Sequence, residues 1–240
     1  HPKKHPCLSK DKLIFNQTAF EIFKNHRVEN KIIFPAAGYL EILSHYGKSF
    51  QNIQFRTVME VIQGLQVTVT NTNIGEYCSF EKIDSELDLT ITSEDLEKQD
   101  INSFYQNAER SGIQYTGNFK SIQELSTGNN IVHTILKVEK SNEFFIDPGL
   151  IDGALQSIGF LNIDSGLPYQ IDEITFHNKL HGTECESYAW ISDNKANIVI
   201  KNDILLLTIK GLQLREPIKP NMLHKTIWTV NHNKQSVLKG

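Results

Sequence analysis

The chain has little cysteine. Its 240 residues include only 3 cysteines, Cys7, Cys78 and Cys185, which are isolated from one another and odd in number. A disulfide framework uses an even set, and common zinc sites use closely spaced cysteine and histidine pairs. The sequence therefore indicates neither kind of site, and free thiols favour a reducing, cytoplasmic location.

Long apolar runs are also absent. No run approaches the roughly 20 apolar residues that a membrane helix needs. The opening residues HPKKHPCLSKDK contain no hydrophobic region of a secretory signal peptide. We expect no membrane contact, and because the chain begins with His and not Met, we expect it to be part of a longer protein.

The chain carries no excess of positive charge. It has 24 Lys and Arg against 28 Asp and Glu, with a formal net charge of −4, which argues against nucleic-acid binding. HExxH, GxSxG and GxGxxG patterns are missing, so we expect no metal, no acyl-transferring serine and no nucleotide cofactor. Six histidines are predicted to be ordinary surface residues: His45, His133, His177, His181, His224 and His232.

What the chain does contain is the composition of a folded protein, with 39% hydrophobic and 22% charged residues. Two apolar segments preceded by a proline predict helices. Pro35 is predicted at the first helical position, with the helix continuing over Ala36–Tyr46. Pro148 precedes GLIDGALQSIGFL, which is apolar on nearly every side, so this second helix should be surrounded by protein.

Alternating or β-branched runs around these helices predict strands. The predicted strands are Ile53–Met59, Leu65–Thr70, Leu87–Thr92, Ile131–Val138, Ile198–Ile200 and Ile204–Ile209. One helix with several strands, occurring twice, indicates an α+β double hot-dog fold. We predict an N-terminal hot-dog subdomain over residues 1–97, a C-terminal one over 98–218 with a helical joining segment at 98–111, and a tail or linker over 219–240.

His26 is the first candidate for catalysis. It lies shortly before Pro35, and its imidazole titrates near neutral pH, which suits a general base. The small residues Ala36, Ala37 and Gly38 would let backbone amides at the helix start approach and polarise a carbonyl oxygen. A histidine considered alone is more often a surface or loop residue with its hydrogen bonds made than a catalytic base. The catalytic interpretation of His26 therefore depends on a second catalytic residue elsewhere in the chain.

Asp152 is the candidate partner. Asp152 and Gln156 are one helical turn apart and share a face of the second helix, where Gln156 can hold the carboxyl by a hydrogen bond. Burial would raise the carboxyl pKa and keep the group protonated, as a general acid requires. The alternative is a capping or network residue near the start of a buried helix.

These segments resemble, in order, the motifs of polyketide synthase dehydratases. NHRVENKIIFP is similar to the family's HxxxGxxxxP motif, GIQYTGNFK to GxxYGPxF, and DPGLIDGALQ to HPxxxDxxxQ. LPYQIDEITFH and TIKGLQLREP are similar to later strands of the family. Asn30, Thr116, Gly117 and Asp147 depart from the motifs, while the catalytic pair is intact.

The resemblance implies that His26 removes the α-proton of a β-hydroxyacyl thioester and Asp152 protonates the departing hydroxyl. It also implies that Gln156 orients Asp152, that Tyr115 lines the cleft, and that Pro35 sets the helix whose amides receive the carbonyl. The family needs no cofactor. Its substrate arrives on the phosphopantetheine arm of an acyl carrier protein, and the domain works among other synthase domains, generally as a homodimer.

Other functions remain open on this fold. A pyran-forming cyclase would use the same two residues, and a double-bond isomerase would not need the acid. A non-catalytic module kept for dimerisation or spacing would not need either. A hot-dog thioesterase would have to use Glu41 as its acidic residue, and it would leave the dehydratase motifs unexplained.

Overall fold

The computed structural model describes residues 5–87, 89–91, 95–139, 143–161 and 166–215. The helices are α1 (Gln17–Phe23), α2 (Ala36–Leu43), α3 (Ile101–Arg110) and α4 (Pro148–Ser157), with 3₁₀ turns at Gly117–Phe119 and Ile158–Phe160. The strands are β1 (Leu8–Ser9), β2 (Lys12–Ile14), β3 (His26–Val28), β4 (Lys31–Ile32), β5 (Ser49–Phe55), β6 (Gln66–Thr68), β7 (Asn73–Ile74), β8 (Cys78–Ile83), β9 (Glu97–Lys98), β10 (Ile113–Tyr115), β11 (Ile122–Thr127), β12 (Ile131–Lys137), β13 (Leu167–Phe176), β14 (Glu184–Ser192), β15 (Lys195–Lys201) and β16 (Leu205–Arg215).

One antiparallel sheet of ten strands runs through both halves, in the order β7-β8-β5-β13-β16-β15-β14-β12-β11-β9. The halves meet where β5 pairs with β13, from Ser49 opposite Thr175 to Gln54 opposite Gln170. Strands β12, β14 and β15 pack on α4, Tyr39 of α2 contacts Phe55 of β5, and the two helices pack against each other. This arrangement is the predicted α+β double hot-dog fold.

Helix α4 is fully enclosed, as its apolar sequence predicts. All ten of its residues are buried. A Cβ atom at Gly149 would lie 2.1 Å from the Asn118 carbonyl oxygen, and one at Gly153 would lie 2.2 Å from Ser121 Oγ. The two glycines therefore let α4 approach the 118–121 segment closely, and Ser121 Oγ fastens the contact by donating to the Gly149 carbonyl at 2.8 Å.

Asp147 explains how α4 begins. Its side chain accepts the Gly149 amide at 2.9 Å and so caps the helix, with Pro148 in the first turn. It also accepts a hydrogen bond from Asn118 Nδ2 at 3.1 Å. Asp147, which stands where the family motif has a histidine, thus anchors the start of the helix that carries Asp152.

Helix α2 differs in its bounds from the prediction. Pro35 is the N-cap, with an extended ψ of 159°, so the helix begins at Ala36 and not at the proline. It ends at Leu43 and not at Tyr46, because the Ser44 hydroxyl donates to the Glu41 carbonyl and the following amides turn back onto Ile42 and Leu43.

Several other elements also differ from the prediction. Residue 87 and residues 89–91 form no strand, because Leu87 is held by the hydroxyls of Thr175 and Thr208 rather than by a neighbouring strand. The predicted strand at 53–59 is displaced to 49–55. The joining segment does contain a helix, α3, whereas α1 was not predicted.

The proposed boundary after residue 97 falls within β9, which pairs with β11 of the second half. The predicted tail at 219–240 lies outside the described residues. Among the residues that the structure describes, no helix is both long and apolar enough to cross a membrane.

Candidate active site

A small three-stranded sheet, in the order β10-β3-β4, assembles the candidate site. In its register, Tyr115 of β10 lies directly opposite His26 of β3. The centres of their rings are 5.6 Å apart, and Phe119 lies 5.5 Å from the imidazole on another side. The first and second motifs, distant in sequence, therefore meet around His26.

Hydrogen bonding fixes the tautomer of neutral His26. Its Nδ1 lies 2.9 Å from the carbonyl oxygen of Ile33, which can only accept, so Nδ1 carries the proton. Nε2 then holds a lone pair. That lone pair can accept a proton, and the residue that carries it is buried, only 8% exposed.

The departures from the first two motifs preserve this loop. Glu29 and Asn30 join β3 to β4 with φ values of 49° and 65°, the conformation of a two-residue hairpin turn. Asn tolerates such a φ, so Asn30 replaces the motif glycine at little cost. Thr116 and Gly117 lie against Asn25, beside His26, and the Thr116 amide donates to the Asn25 carbonyl at 3.0 Å.

Asp152 lies buried within α4, 6% exposed. Gln156 Nε2 donates to its Oδ2 at 2.7 Å. Burial raises the pKa of the Asp152 carboxyl, and the charge of nearby His26 and the Gln156 hydrogen bond only partly oppose that shift. The same carboxyl contributes, after burial, to raising the pKa of the Tyr115 hydroxyl, so Asp152, His26 and Tyr115 share one electrostatic environment.

The start of α2 lies next to His26, since His26 is hydrogen-bonded to Ile33, two residues before Pro35. The Gly38 amide donates to the Pro35 carbonyl at 2.9 Å. A Cβ at Gly38 would lie 2.6 Å from the Phe34 ring, so this glycine is required for packing against Phe34. The amides of Ala36 and Ala37 are the remaining candidates for contact with a substrate carbonyl.

Tyr105 was not predicted as a site residue. It lies on α3, buried, and its hydroxyl donates to Gln156 Oε1 at 3.2 Å. The sequence places it in a predicted joining helix, and an aromatic residue there is typical of ordinary packing. Only the tertiary contact with Gln156 links it to Asp152.

A second cluster of titratable groups surrounds Glu41. His5, Glu41 and His45 bring ligand-type atoms within 4.8 Å of one another, the spacing of a metal site. However, His5 Nδ1 accepts the amides of Cys7 and Leu8, so the proton of neutral His5 is on Nε2. That atom donates to Glu41 Oε2 at 2.7 Å and has no lone pair for a cation.

Glu41 is therefore fully engaged within the protein. In addition to the hydrogen bond from His5, its carboxylate accepts one from His45 Nε2 at 3.1 Å and one from the Phe145 amide at 2.9 Å. Because Glu41 is only 1% exposed and its oxygens receive these donors, it is poorly suited to the role of a thioesterase carboxylate. His45 is exposed, as predicted, but it is not without a partner.

Solved structures of polyketide synthase dehydratases share this fold. The dehydratase domain from the CurF module of curacin polyketide synthase superposes with a TM-score of 0.70 at 16% identity, covering 86% of this chain and 94% of that chain. The erythromycin dehydratase superposes with a TM-score of 0.72 at 12% identity, covering 85% and 89%. These likenesses establish the double hot-dog fold.

Sequence comparison gives the family. The chain is 23% identical over 230 residues to the probable polyketide synthase 8/35 of Dictyostelium discoideum, covering 72% of this chain and 9% of that protein. It is 23% identical over 180 residues to the probable polyketide synthase 6 of the same organism, covering 60% and 6%. The chain thus spans less than a tenth of these relatives.

The family model described as the polyketide synthase dehydratase N-terminal domain matches residues 85–216, more than half of the chain. That range contains Tyr115, Asp152 and Gln156, and His26 lies before it. The chain belongs to the polyketide synthase dehydratase family.

Proposed function

We propose that this dehydratase domain removes water from a β-hydroxyacyl chain carried on an acyl carrier protein, giving an α,β-unsaturated thioester. His26 is the base and Asp152 the acid. The observation that carries the proposal is the complementary setting of the two groups: Nδ1 of His26 donates to the Ile33 carbonyl, which leaves Nε2 to accept a proton, while burial favours the protonated carboxyl of Asp152.

The reaction requires one proton to leave carbon and one to reach oxygen. Nε2 of His26 takes the α-proton, and the electrons of that C–H bond form the new C=C bond. The β C–O bond breaks as Asp152 gives its proton to the hydroxyl, which departs as water. Imidazolium and carboxylate remain, and transfer of the proton from His26 to Asp152 restores both groups.

The surroundings support this division of roles. The carbonyl of Ile33 holds the imidazole in orientation and stabilises the imidazolium that forms. The amides of Ala36 and Ala37, at the start of α2, would polarise the thioester carbonyl and so acidify the α-carbon. Tyr115, opposite His26, would form a wall of the cleft.

The partners follow from the substrate. A thioester on a phosphopantetheine arm requires an acyl carrier protein, and the relatives are much longer synthases, so other synthase domains would flank this one. We further propose a homodimer, as the family resemblance implies. The reaction as written balances without a metal, nucleotide or other cofactor.

The test offers the protein β-hydroxyacyl carrier proteins of several chain lengths and both hydroxyl configurations, and follows their intact mass. We expect loss of one water, abolished by His26→Ala and by Asp152→Asn, with His181→Ala as an exposed-histidine control that retains activity. Each general acid or base contributes roughly 10²–10⁴-fold, so either variant should lose at least that much.

Other results would contradict dehydration specifically. Release of free acid would indicate a thioesterase, and a moved double bond without loss of mass would indicate an isomerase. Ring closure with a second hydroxyl on the chain would indicate a cyclase. No change with any substrate would favour a non-catalytic module.

A further inference from the structure

Tyr105 occupies a position that a packing role alone does not explain. Its hydroxyl lies between a backbone amide and the side chain that holds the candidate acid. Ile122 N–H donates to Tyr105 Oη at 3.3 Å, and Oη donates to Gln156 Oε1 at 3.2 Å. Gln156 Nε2 donates in turn to Asp152 Oδ2 at 2.7 Å and to the Phe119 carbonyl at 2.9 Å.

The direction of this series of hydrogen bonds is set at both ends by backbone groups. The Phe119 carbonyl can only accept, so the NH₂ end of Gln156 faces it, and Oε1 must face Tyr105. Ile122 N–H can only donate, so it occupies a lone pair of Tyr105 Oη and directs the phenol proton towards Gln156. A reversed amide would place Oε1 against the Phe119 carbonyl, acceptor against acceptor, and a reversed hydroxyl would point its proton at Ile122 N–H, donor against donor.

The series determines which oxygen of Asp152 carries the acidic proton. Oδ2 receives an N–H from Gln156, and a carboxylic O–H cannot point at the same donor. A carbonyl oxygen accepts that N–H better than a hydroxyl oxygen does, so the hydrogen bond favours the neutral acid with its proton on Oδ1, from which it can be delivered. Burial raises the pKa of Tyr105, so the phenol remains a donor at the pH where the enzyme works.

We propose that Tyr105 is a positioning residue that acts through Gln156 to keep the acidic proton of Asp152 on Oδ1, towards the leaving hydroxyl. The catalytic meaning of this proposal rests on the proposed dehydration, whereas the control of Asp152 itself does not. Tyr105 also lines an open groove of about 510 Å³ with Lys120 and Gln123.

The main variant is Tyr105→Phe, which keeps the ring and removes the hydroxyl. Without it, Gln156 Oε1 loses the donor that polarises and fixes the amide, so the donation of Nε2 to Asp152 Oδ2 weakens. Because that hydrogen bond lowers the carboxyl pKa, the Asp152 titration should move to higher pH. The kcat should fall by about 10- to 100-fold, less than loss of the whole acid, with KM nearly unchanged.

Tyr39→Phe is the matched control. Tyr39 is also a buried tyrosine, 3% exposed, and among the described residues its hydroxyl has no hydrogen-bond partner. Its removal should alter neither the Asp152 titration nor kcat. A third comparison places Tyr105→Phe in a Gln156→Met background, where it should cause no further change, because the route to Asp152 is already interrupted.

The titration is measured by NMR of ¹³C-labelled aspartate carboxyls, with the Asp152 signal assigned from its absence in Asp152→Asn. If Tyr105→Phe unfolds the protein, 3,5-difluorotyrosine at position 105 provides the test, since its stronger donor should move the Asp152 titration to lower pH. This readout does not require a substrate.

The two proposals fail in different ways. If the wild-type protein dehydrates no substrate but Tyr105→Phe moves the Asp152 titration to higher pH, the proposed function is refuted and the positioning role is retained. An active protein whose Asp152 titration is the same with Tyr105→Phe refutes the positioning role alone. Multiplicative effects of Tyr105→Phe and Gln156→Met would also refute it, because they would indicate independent structural damage.

Discussion

Replacement of Glu41 by Gln tests how the two halves are held together. The buried carboxylate accepts His5 Nε2 on one oxygen, and His45 Nε2 and the Phe145 amide on the other. Residue 145 lies in the segment that leads into α4, so Glu41 connects α2, the N-terminal segment and the approach to Asp152. A glutamine keeps the volume but presents a donor where one of these acceptors was.

The magnitude follows from the fixed proton of His5. If the Gln oxygen faces the Phe145 amide, its NH₂ opposes His5 Nε2–H, and the reverse orientation opposes the amide instead. A hydrogen bond to a charged group contributes about 1.5–3 kcal/mol, and an unsatisfied buried donor adds about 1–3 kcal/mol. Relief from burying a charge offsets part of this, which leaves a net loss of about 2–4 kcal/mol.

The pH dependence has a definite sign. Burial alone would raise the pKa of Glu41, but the hydrogen bonds from His45 and His5 and the charges on those rings outweigh it and lower the pKa. The stability that Glu41 contributes is therefore present above the unfolded-state pKa, about 4.3, and is lost as pH falls through the lowered folded value. The stability lost in Glu41→Gln should therefore be greatest at pH 7 and should shrink as the pH falls from about 4.3 through the lowered folded pKa.

Chemical denaturation at several pH values measures this difference. The control is Glu186→Gln, whose carboxylate also has three partners, His133, Tyr188 and Lys201, but is 25% exposed on the outer sheet face. It should change stability by about 0–1 kcal/mol. An equal loss for the two variants at pH 7, or a Glu41→Gln loss independent of pH, would refute the reasoning.

Three further outcomes are expected. Glu29→Gly, at a φ of 49° in the hairpin turn, should stabilise the protein by about 0.5–1 kcal/mol in denaturation, and an unchanged or lower stability would contradict the strain. Gly153→Ala should destabilise it by about 1–3 kcal/mol, because its Cβ would lie 2.2 Å from Ser121 Oγ, and Ser121→Gly should restore part of the loss. Asp152→Asn should be more stable than wild type at neutral pH and not at low pH. The stability that a carboxyl with a raised folded pKa contributes is present below the unfolded-state pKa, about 3.9, and is lost as the pH rises through the raised folded value. An equal difference at both pH values would contradict burial as the cause.

Local sequence signals predicted the parts of the structure that depend on neighbouring residues. The apolar run after Pro148 predicts a buried helix because no face of it suits water, and α4 is buried throughout. The spacing of Asp152 and Gln156 predicts their contact, which the structure contains at 2.7 Å. Asn30 departs from the motif's glycine, and its φ of 65° is one that asparagine tolerates.

Contacts between distant segments could not be predicted in this way. The pairing of His26 with Tyr115 depends on the register of β3 against β10, and register is decided by tertiary packing. Leu87 looked like a strand residue because its neighbours alternate, but its backbone groups bond to threonine hydroxyls of the sheet. Tyr105 gave no signal at all, since only the folded chain brings its hydroxyl to Gln156.

The junction between β5 and β13 has a consequence for any recombination of such domains. The proposed base, His26, lies in the first half and the proposed acid, Asp152, in the second, so neither half by itself encodes the distance between them. That distance depends on strand registers at β5–β13 and β3–β10. A chimera that fuses the first half of this chain to the second half of a relative would keep a candidate base and a candidate acid, and on the proposed mechanism its activity would depend on whether the new junction restores their spacing.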